Sequence, residues 1–471
     1  MGIFAVMTFG LLTVSSCNDK SSQQSTSSSA DTTVKTISLV DGIDEKNKGS
    51  HSGETELKGK VTMPLSGKIY LWETSGKNVF KTDSTKAENG LFAFPKKMRE
   101  EGIYMIGPTD NNMSPIIIQP NEKVCEIGFS NARFEESMYA IASKENECLA
   151  KYNPQEAALL KAIKDAKVAG AKSASMKVQF DQQASQKEAE LLKLQADLIA
   201  QYSGTFAAKL LTWKQEPWKA DIKKYWNNVD FTDESVIRTK VLSDRIESFM
   251  RSFSKGEESG FINCVAQVVE KAKVNDRVLE FSLNQMLVGF YESGLENICT
   301  FIIDNYINGD ACGDADLSNV IKSTAESIQN LSVSKTPPNI KLLGLDGNTV
   351  DLFKMATTKK YTLVMFWSSW CEHCKGEAPE VKACYEQWKA KGFEILGVSI
   401  DNNKQAWQKA VTERGFLFPQ VCGMNSYQSP VAKDYRITKT PAFYLVDNTG
   451  KIVLKPKGIS EVQRYLAANI K

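Results

Sequence analysis

Histidine is almost missing from this chain: His51 and His373 are the only two in 471 residues. A zinc centre built on any cysteine pair would need two further good ligands, so no metal is expected. Neither sign of charge is in excess, with 58 Lys plus Arg against 56 Asp plus Glu and a formal charge of +2. That balance excludes a general polyanion-binding surface and gives no reason to expect a nucleic-acid partner. A long hydrophobic run is absent as well. The charge-free stretch Ile3 to Val14 falls well short of the roughly 20 apolar residues that span a bilayer as a helix. Ten cysteines are too few for a disulfide-knit scaffold, so their positions matter more than their number. What is present is an ordinary globular mixture, 42% hydrophobic and 24% charged. At roughly 100 to 200 residues per domain, the length corresponds to about three domains.

The run Ile3 to Val14 reads as the apolar core of a secretory leader, although Met1 to Phe4 carries no Lys or Arg. It ends in Val14-Ser15-Ser16-Cys17, which resembles the bacterial lipobox. The resemblance implies cleavage before Cys17, lipidation of that residue and a membrane contact through the lipid. Ser21 to Thr33 is nearly all Ser, Thr and Gln, a polar tract suited to a tether. Residues 1–17 are therefore expected to be leader and lipidated cysteine, and 18–53 a linker.

Three further regions follow. Across 54–130, short apolar stretches such as Ile69 to Trp72, Leu91 to Phe94 and Ile116 to Ile118 alternate with turn residues, and Asn89-Gly90 suits a hairpin. Both faces of Ile69-Tyr70-Leu71-Trp72 are apolar, which predicts a small β-sandwich. Across 131–330 the composition turns to Ala, Glu, Lys, Gln and Leu, with Leu191, Leu194 and Leu198 at helical spacing, so this region is expected to be mainly helical. Its aromatic residues Trp213, Trp218, Tyr225 and Trp226 are read as core. Pro337-Pro338 breaks the helical pattern and opens a last domain over 331–471. There Tyr361 to Trp367 and Phe393 to Ile400 read as buried strands flanking a helix over Glu372 to Lys391, a βαβ unit. Two more strands, Ala442 to Val446 and Lys451 to Leu454, join at Asp447-Asn448-Thr449-Gly450, and Ser460 to Ile470 closes with a helix. The expected whole is a multidomain chain ending in an α/β fold.

Trp370-Cys371-Glu372-His373-Cys374 lies between a predicted buried strand and a predicted helix, where a C-x-x-C pair reads as redox-active. Unpaired backbone N–H groups and the positive end of the helix dipole stabilise thiolate there, and can bring a thiol pKa from about 8.5 to about 3.5–7.5. Cys371 is the expected nucleophile. Cys374, one turn along, is placed to resolve the mixed disulfide.

The segment from Phe366 to Pro379, Phe-Trp-Ser-Ser-Trp-Cys-Glu-His-Cys-Lys-Gly-Glu-Ala-Pro, resembles the active-site segment of TlpA-like, thioredoxin-fold oxidoreductases of the bacterial envelope. A second segment, Tyr435 to Asp447, is similar to that family's cis-proline loop and following strand. Together they cover about residues 331–471. The resemblance implies a thioredoxin fold and a cis peptide before Pro441. It also implies pairing of the Thr440 backbone with an extended substrate segment, and a cleft carboxylate at Glu377 that accepts or relays a proton. Thioredoxin's buried aspartate is replaced by Met365, which leaves Glu377 as the candidate for that relay. Trp370, Glu372 and His373 are expected to tune the pair, with the His373 ring favouring thiolate and the Glu372 charge opposing it. Neither spacing nor separation assigns a partner to Cys384 or Cys422.

The chain is thus expected to be an envelope thiol-disulfide oxidoreductase needing no cofactor. Its expected partners are protein thiols or disulfides and a membrane-linked thiol donor or acceptor. Two other readings stay open: a thiol peroxidase, whose usual Thr-x-x-Cys arrangement is replaced here by the cysteine pair, and a binding lipoprotein with a vestigial redox module.

Overall fold

The computed structural model describes residues 52–63, 65–120, 122, 124–216, 219–309 and 317–470. The leader run, Cys17 and nearly all of the polar linker lie outside these residues, as does Trp218. The chain forms two compact units. One takes residues up to Gly289 together with Asp304–Val320, the other Phe290–Ile303 together with Ile321–Lys471.

The first unit begins with eight strands: β1 (Ser52–Val61), β2 (Gly67–Ser75), β3 (Asn78–Ala87), β4 (Leu91–Glu100), β5 (Gly102–Thr109), β6 (Asn112–Ile118), β7 (Val124–Phe129) and β8 (Met138–Ala142). They form two four-stranded sheets, ordered β4-β1-β7-β8 and β3-β2-β5-β6. Leu57, Phe94 and Ile127 from the first sheet and Leu71, Ile106 and Ile116 from the second share one buried core, which makes this a β-sandwich. Asn89 and Gly90 both take positive φ, 50° and 79°, as a tight hairpin turn requires. The strands on either side nevertheless enter opposite sheets, because β4 pairs with β1. The turn is a corner of the sandwich. The sheet also runs on through β8, a short apolar strand, Met-Tyr-Ala-Ile-Ala, that stays mostly exposed and lies inside the range expected to be helical.

Helices then dominate, beginning with Lys144–Lys172 and Lys177–Gln201 and including Val241–Phe253, Glu258–Ala272 and Asp276–Glu292. Trp213, Tyr225 and Trp226 are buried. Among the described residues no helix is long and apolar enough to cross a membrane.

In the second unit a small hairpin, β9 (Lys341–Leu343) and β10 (Thr349–Asp351), precedes β11 (Tyr361–Trp367), β12 (Phe393–Ser399), β13 (Gln420–Cys422), β14 (Ala442–Asp447) and β15 (Ile452–Leu454). The last five make one sheet, ordered β13-β12-β11-β14-β15. Central β11 runs parallel to β12 and antiparallel to β14. Alternation sorts its side chains onto two cores. Leu363, Met365 and Trp367 face one, with Cys374, Val381 and Cys384 of the helix Glu372–Trp388. Val364 and Phe366 face the other, with Leu352, Tyr435 and Tyr444. Both faces being covered explains why β11 and β12 read as predominantly apolar runs, broken only by Thr362, Glu394 and Ser399, each buried aliphatic or aromatic side chain contributing about 1.5–3 kcal/mol. The turn Asp447–Gly450 joins β14 to β15 as expected, the Gly450 amide donating to the Asp447 carbonyl at 3.0 Å.

Several elements of this unit escaped the sequence reading, among them the β9–β10 hairpin and the short helices Leu352–Ala356 and Pro430–Asp434. The helix Lys404–Arg414 buries only Trp407, Ala410 and Val411, and β13 is three residues long. Phe290–Ile303 and the helix Asn319–Asn330 from Ile321 onward, read from sequence as part of the helical region, are integral to the second unit.

Candidate active site

β11 ends at Trp367, and the chain turns through Ser368, Ser369 and Trp370 before the helix Glu372–Trp388 begins. Cys371 is the N-cap of that helix, with extended φ and ψ of −81° and 110°. Its Sγ accepts a hydrogen bond from the Cys374 amide at 3.0 Å, so the sulfur satisfies an N–H that a helix start leaves unpaired. Cys371 and Cys374 are joined as a disulfide with Cα atoms 5.3 Å apart. Both are buried, Cys371 at 6% exposure and Cys374 at 0%.

The second segment leads into β14. The Thr440–Pro441 peptide is cis, and the Thr440 carbonyl oxygen lies 3.4 Å from Cys371 Sγ. Sequence positions separated by 69 residues thus meet at the sulfur.

Glu377 lies three residues beyond Cys374 and so on the same side of the helix. Its Oε2 is buried without a hydrogen-bond partner, and Oε1 lies 3.1 Å from where a Cβ on Gly458 would stand. Burial raises the Glu377 carboxyl above the ordinary range and the nearby Glu380 charge adds to that, while His373 pulls the other way. Trp370 is 52% exposed, its ring 6.0 Å from that of Tyr427, and Glu372 and His373 are exposed as well. Of the sequence-predicted residues, Cys371, Cys374, Thr440 and Pro441 converge. Trp370, Glu372 and His373 rim the pair on the solvent side, and Cys17 is outside the described residues.

Sequence reasoning missed what holds the loop before Cys371. Asp401, 1% exposed, accepts from the Ser369 amide at 2.9 Å and from the Ser369 and Ser399 hydroxyls at 2.5 and 2.6 Å. From the other side Arg414 donates to the Ser368 and Ser369 carbonyls at 3.1 and 2.8 Å, its guanidinium 4.8 Å from the Trp367 ring centroid. The available signal was an aspartate just past a buried strand. Cys384 and Cys422 are both free thiols, and burial pushes the Cys384 thiol up to about 12. Among the described residues no three His, Cys, Asp or Glu side chains are grouped to hold a metal.

A cysteine pair capping a helix beneath a cis-proline loop, on a mixed five-stranded sheet, defines a thioredoxin-fold dithiol site. The AhpC/TSA family profile matches residues 333–455. The thiol-disulfide oxidoreductase ResA of Bacillus cereus is 27% identical over 132 residues, covering 28% of this chain and 72% of that protein. ResA of Bacillus subtilis is 28% identical over 125 residues, 26% of this chain and 67% of that protein. Among solved structures, the thioredoxin domain of a thiol-disulfide oxidoreductase from Bacteroides vulgatus is 32% identical, covering 30% of this chain and 99% of that one at a TM-score of 0.28. The C-terminal domain of this chain is a TlpA-like, thioredoxin-fold thiol-disulfide oxidoreductase.

Proposed function

We propose that the chain exchanges disulfides with proteins of the cell envelope, held at a membrane by a lipid on Cys17. The observation that carries the chemistry is the position of Cys371 Sγ between the Cys374 amide and the Thr440 carbonyl. An N–H aimed at the sulfur stabilises its anion, and a backbone carbonyl beside it offers an extended client segment a place to pair. In the reducing direction, Cys371 thiolate attacks one sulfur of a client disulfide, forming a mixed disulfide and releasing the other client sulfur as thiolate. Cys374 loses its proton, with Glu377 as acceptor, and attacks Cys371 Sγ. The second client thiolate leaves, the Cys371–Cys374 disulfide closes, and the client has gained two electrons. A membrane-linked thiol donor then restores the dithiol, or an acceptor removes electrons when the cycle runs in reverse.

Trp370, Glu372 and His373 surround the point of attack and adjust the sulfur's charge, while Thr440 and Pro441 hold the client strand. The N-terminal residues act as leader and tether, and the sandwich and helical regions as accessory domains. Cys374→Ser is expected to accumulate client proteins as mixed disulfides that reductant releases, and Cys371→Ser/Cys374→Ser to accumulate none. Equal capture by the single and double variants would refute exchange and leave the binding reading in its place. Loss of radiolabelled fatty acid on Cys17→Ser tests the anchor.

A further inference from the structure

The cis-proline loop is held from outside the thioredoxin sheet. Phe290–Ile303, which lies ahead of that fold in the chain, belongs to the same compact unit. Tyr291 is its hub. The Tyr291 hydroxyl lies 3.2 Å from the Tyr444 hydroxyl on β14, and Tyr444 in turn donates to the Tyr435 carbonyl at 3.0 Å. Lys455 Nζ sits 4.4 Å from the Tyr291 ring centroid and 2.6 Å from a Glu296 carboxylate oxygen, and the Arg436 guanidinium approaches the same ring at 5.8 Å. One residue before Thr440, the Lys439 ammonium donates to the Glu292 carbonyl at 3.3 Å. Contacts therefore fall on both flanks of the Thr440–Pro441 peptide, on Tyr435 to Lys439 before it and on Tyr444 after it. The loop also needs holding: Arg436 has φ 49°, in the left-handed region that residues with a Cβ disfavour.

We propose that Tyr291 is a positioning residue for disulfide exchange: with the Lys439–Glu292 contact, it straps the cis-proline loop so that the Thr440 backbone is set to receive an extended client peptide beside Cys371. The inference rests on the exchange reading above and adds to it a determinant that selects peptide over small disulfides. A small disulfide needs only the sulfur of Cys371. A peptide must also pair with the Thr440 backbone, and a displacement of about 1 Å there costs up to about a hundredfold in rate.

The test uses the full chain in its reduced form and two thionitrobenzoate disulfides, the symmetric small one and a mixed disulfide with a short cysteine peptide. In each, Cys371 thiolate bonds to one sulfur and a thionitrobenzoate anion leaves, so release is read by colour; with the peptide, Cys374 then frees the peptide thiol. Tyr291→Ala is expected to lower the peptide rate about five- to tenfold relative to the small-disulfide rate, and Tyr291→Phe, which loses only the hydroxyl contact, about two- to threefold. Lys439→Met should lower the same ratio and Lys439→Arg restore it. Should Tyr291→Ala fail to fold, Tyr291→Phe and Lys439→Met carry the test. A peptide-to-small ratio unchanged in the folded variants overturns the strap. Absence of thionitrobenzoate release from the parent chain with either reagent overturns the exchange reading itself.

Discussion

Asp401→Ala removes the carboxylate that holds the loop in front of Cys371, and the cost can be worked from its contacts. Three hydrogen bonds end on that buried side chain, from the Ser369 amide, the Ser369 hydroxyl and the Ser399 hydroxyl. Each bond to a charged acceptor contributes about 1.5–3 kcal/mol, and water entering the space recovers part, so the net loss is about 3 kcal/mol. Arg414 adds to it. Burial already disfavours its charged form and the Asp401 carboxylate opposes that, so the variant leaves the guanidinium half-buried without that partner. At 1.4 kcal/mol per tenfold, 3 kcal/mol corresponds to about a hundredfold in the opening equilibrium. Amide exchange on the intact chain reads it locally: protection across β11 and β12 should fall about a hundredfold, while protection in the β-sandwich stays as it was. Asp401→Asn keeps one oxygen acceptor and should lose less. If β11 and β12 in Asp401→Ala stay within about threefold of the parent, the loop is not held by this carboxylate and the accounting is wrong.

Further outcomes follow from particular contacts. Because the native Glu377 carboxyl is raised, the folded chain binds its proton more tightly than the unfolded chain does. Its contribution to stability is present below about pH 4.3 and is lost as pH rises through the native value. Glu377→Gln should therefore be as stable as the parent or more so at pH 7, with the gap closing at pH 4 in urea titrations; a variant less stable than the parent at pH 7 and matching it at pH 4 would reverse the sign. Gly397→Ala would place a Cβ 2.3 Å from Gln420 Oε1, the atom that accepts from Trp367 Nε1 at 3.1 Å, and should cost about 1–3 kcal/mol by denaturant unfolding. With its thiol pushed up to about 12, Cys384 should resist iodoacetamide at pH 8 in the folded, reduced chain and react only on unfolding, which mass mapping checks.

The parts of this fold that could be read in advance are those whose cause is local. β11 and β12 announce themselves because both faces are covered and most of their positions carry an apolar side chain. The cysteine pair is legible because its chemistry needs two sulfurs one helical turn apart. Lys404–Arg414 was missed because a surface helix with three buried positions carries little hydrophobic signal. Asp401 and Arg414 were missed for another reason: their partners, Ser368 and Ser369, are 32 to 46 residues away, and nothing in a one-dimensional pattern joins them. The same holds for Tyr291, whose surroundings in sequence are those of an ordinary helical segment and whose contacts lie more than 140 residues on. Residues that do chemistry were readable from residue type, whereas those that aim them needed the fold.

The cap formed by Cys371 sulfur has a consequence for what a passing protein can sense. A hydroxyl or carboxylate at a helix start ordinarily has only that duty, but here the capping atom is also the atom whose valence changes. Reduction breaks its covalent partner without taking away its lone pairs, so the Cys374 amide keeps an acceptor and the first turn has no reason to unwind. The oxidised and reduced molecules should then present nearly the same outline, differing at one point by a negative charge set against the positive end of a helix. A partner that must tell the loaded from the spent molecule would have to read that charge rather than a change of shape.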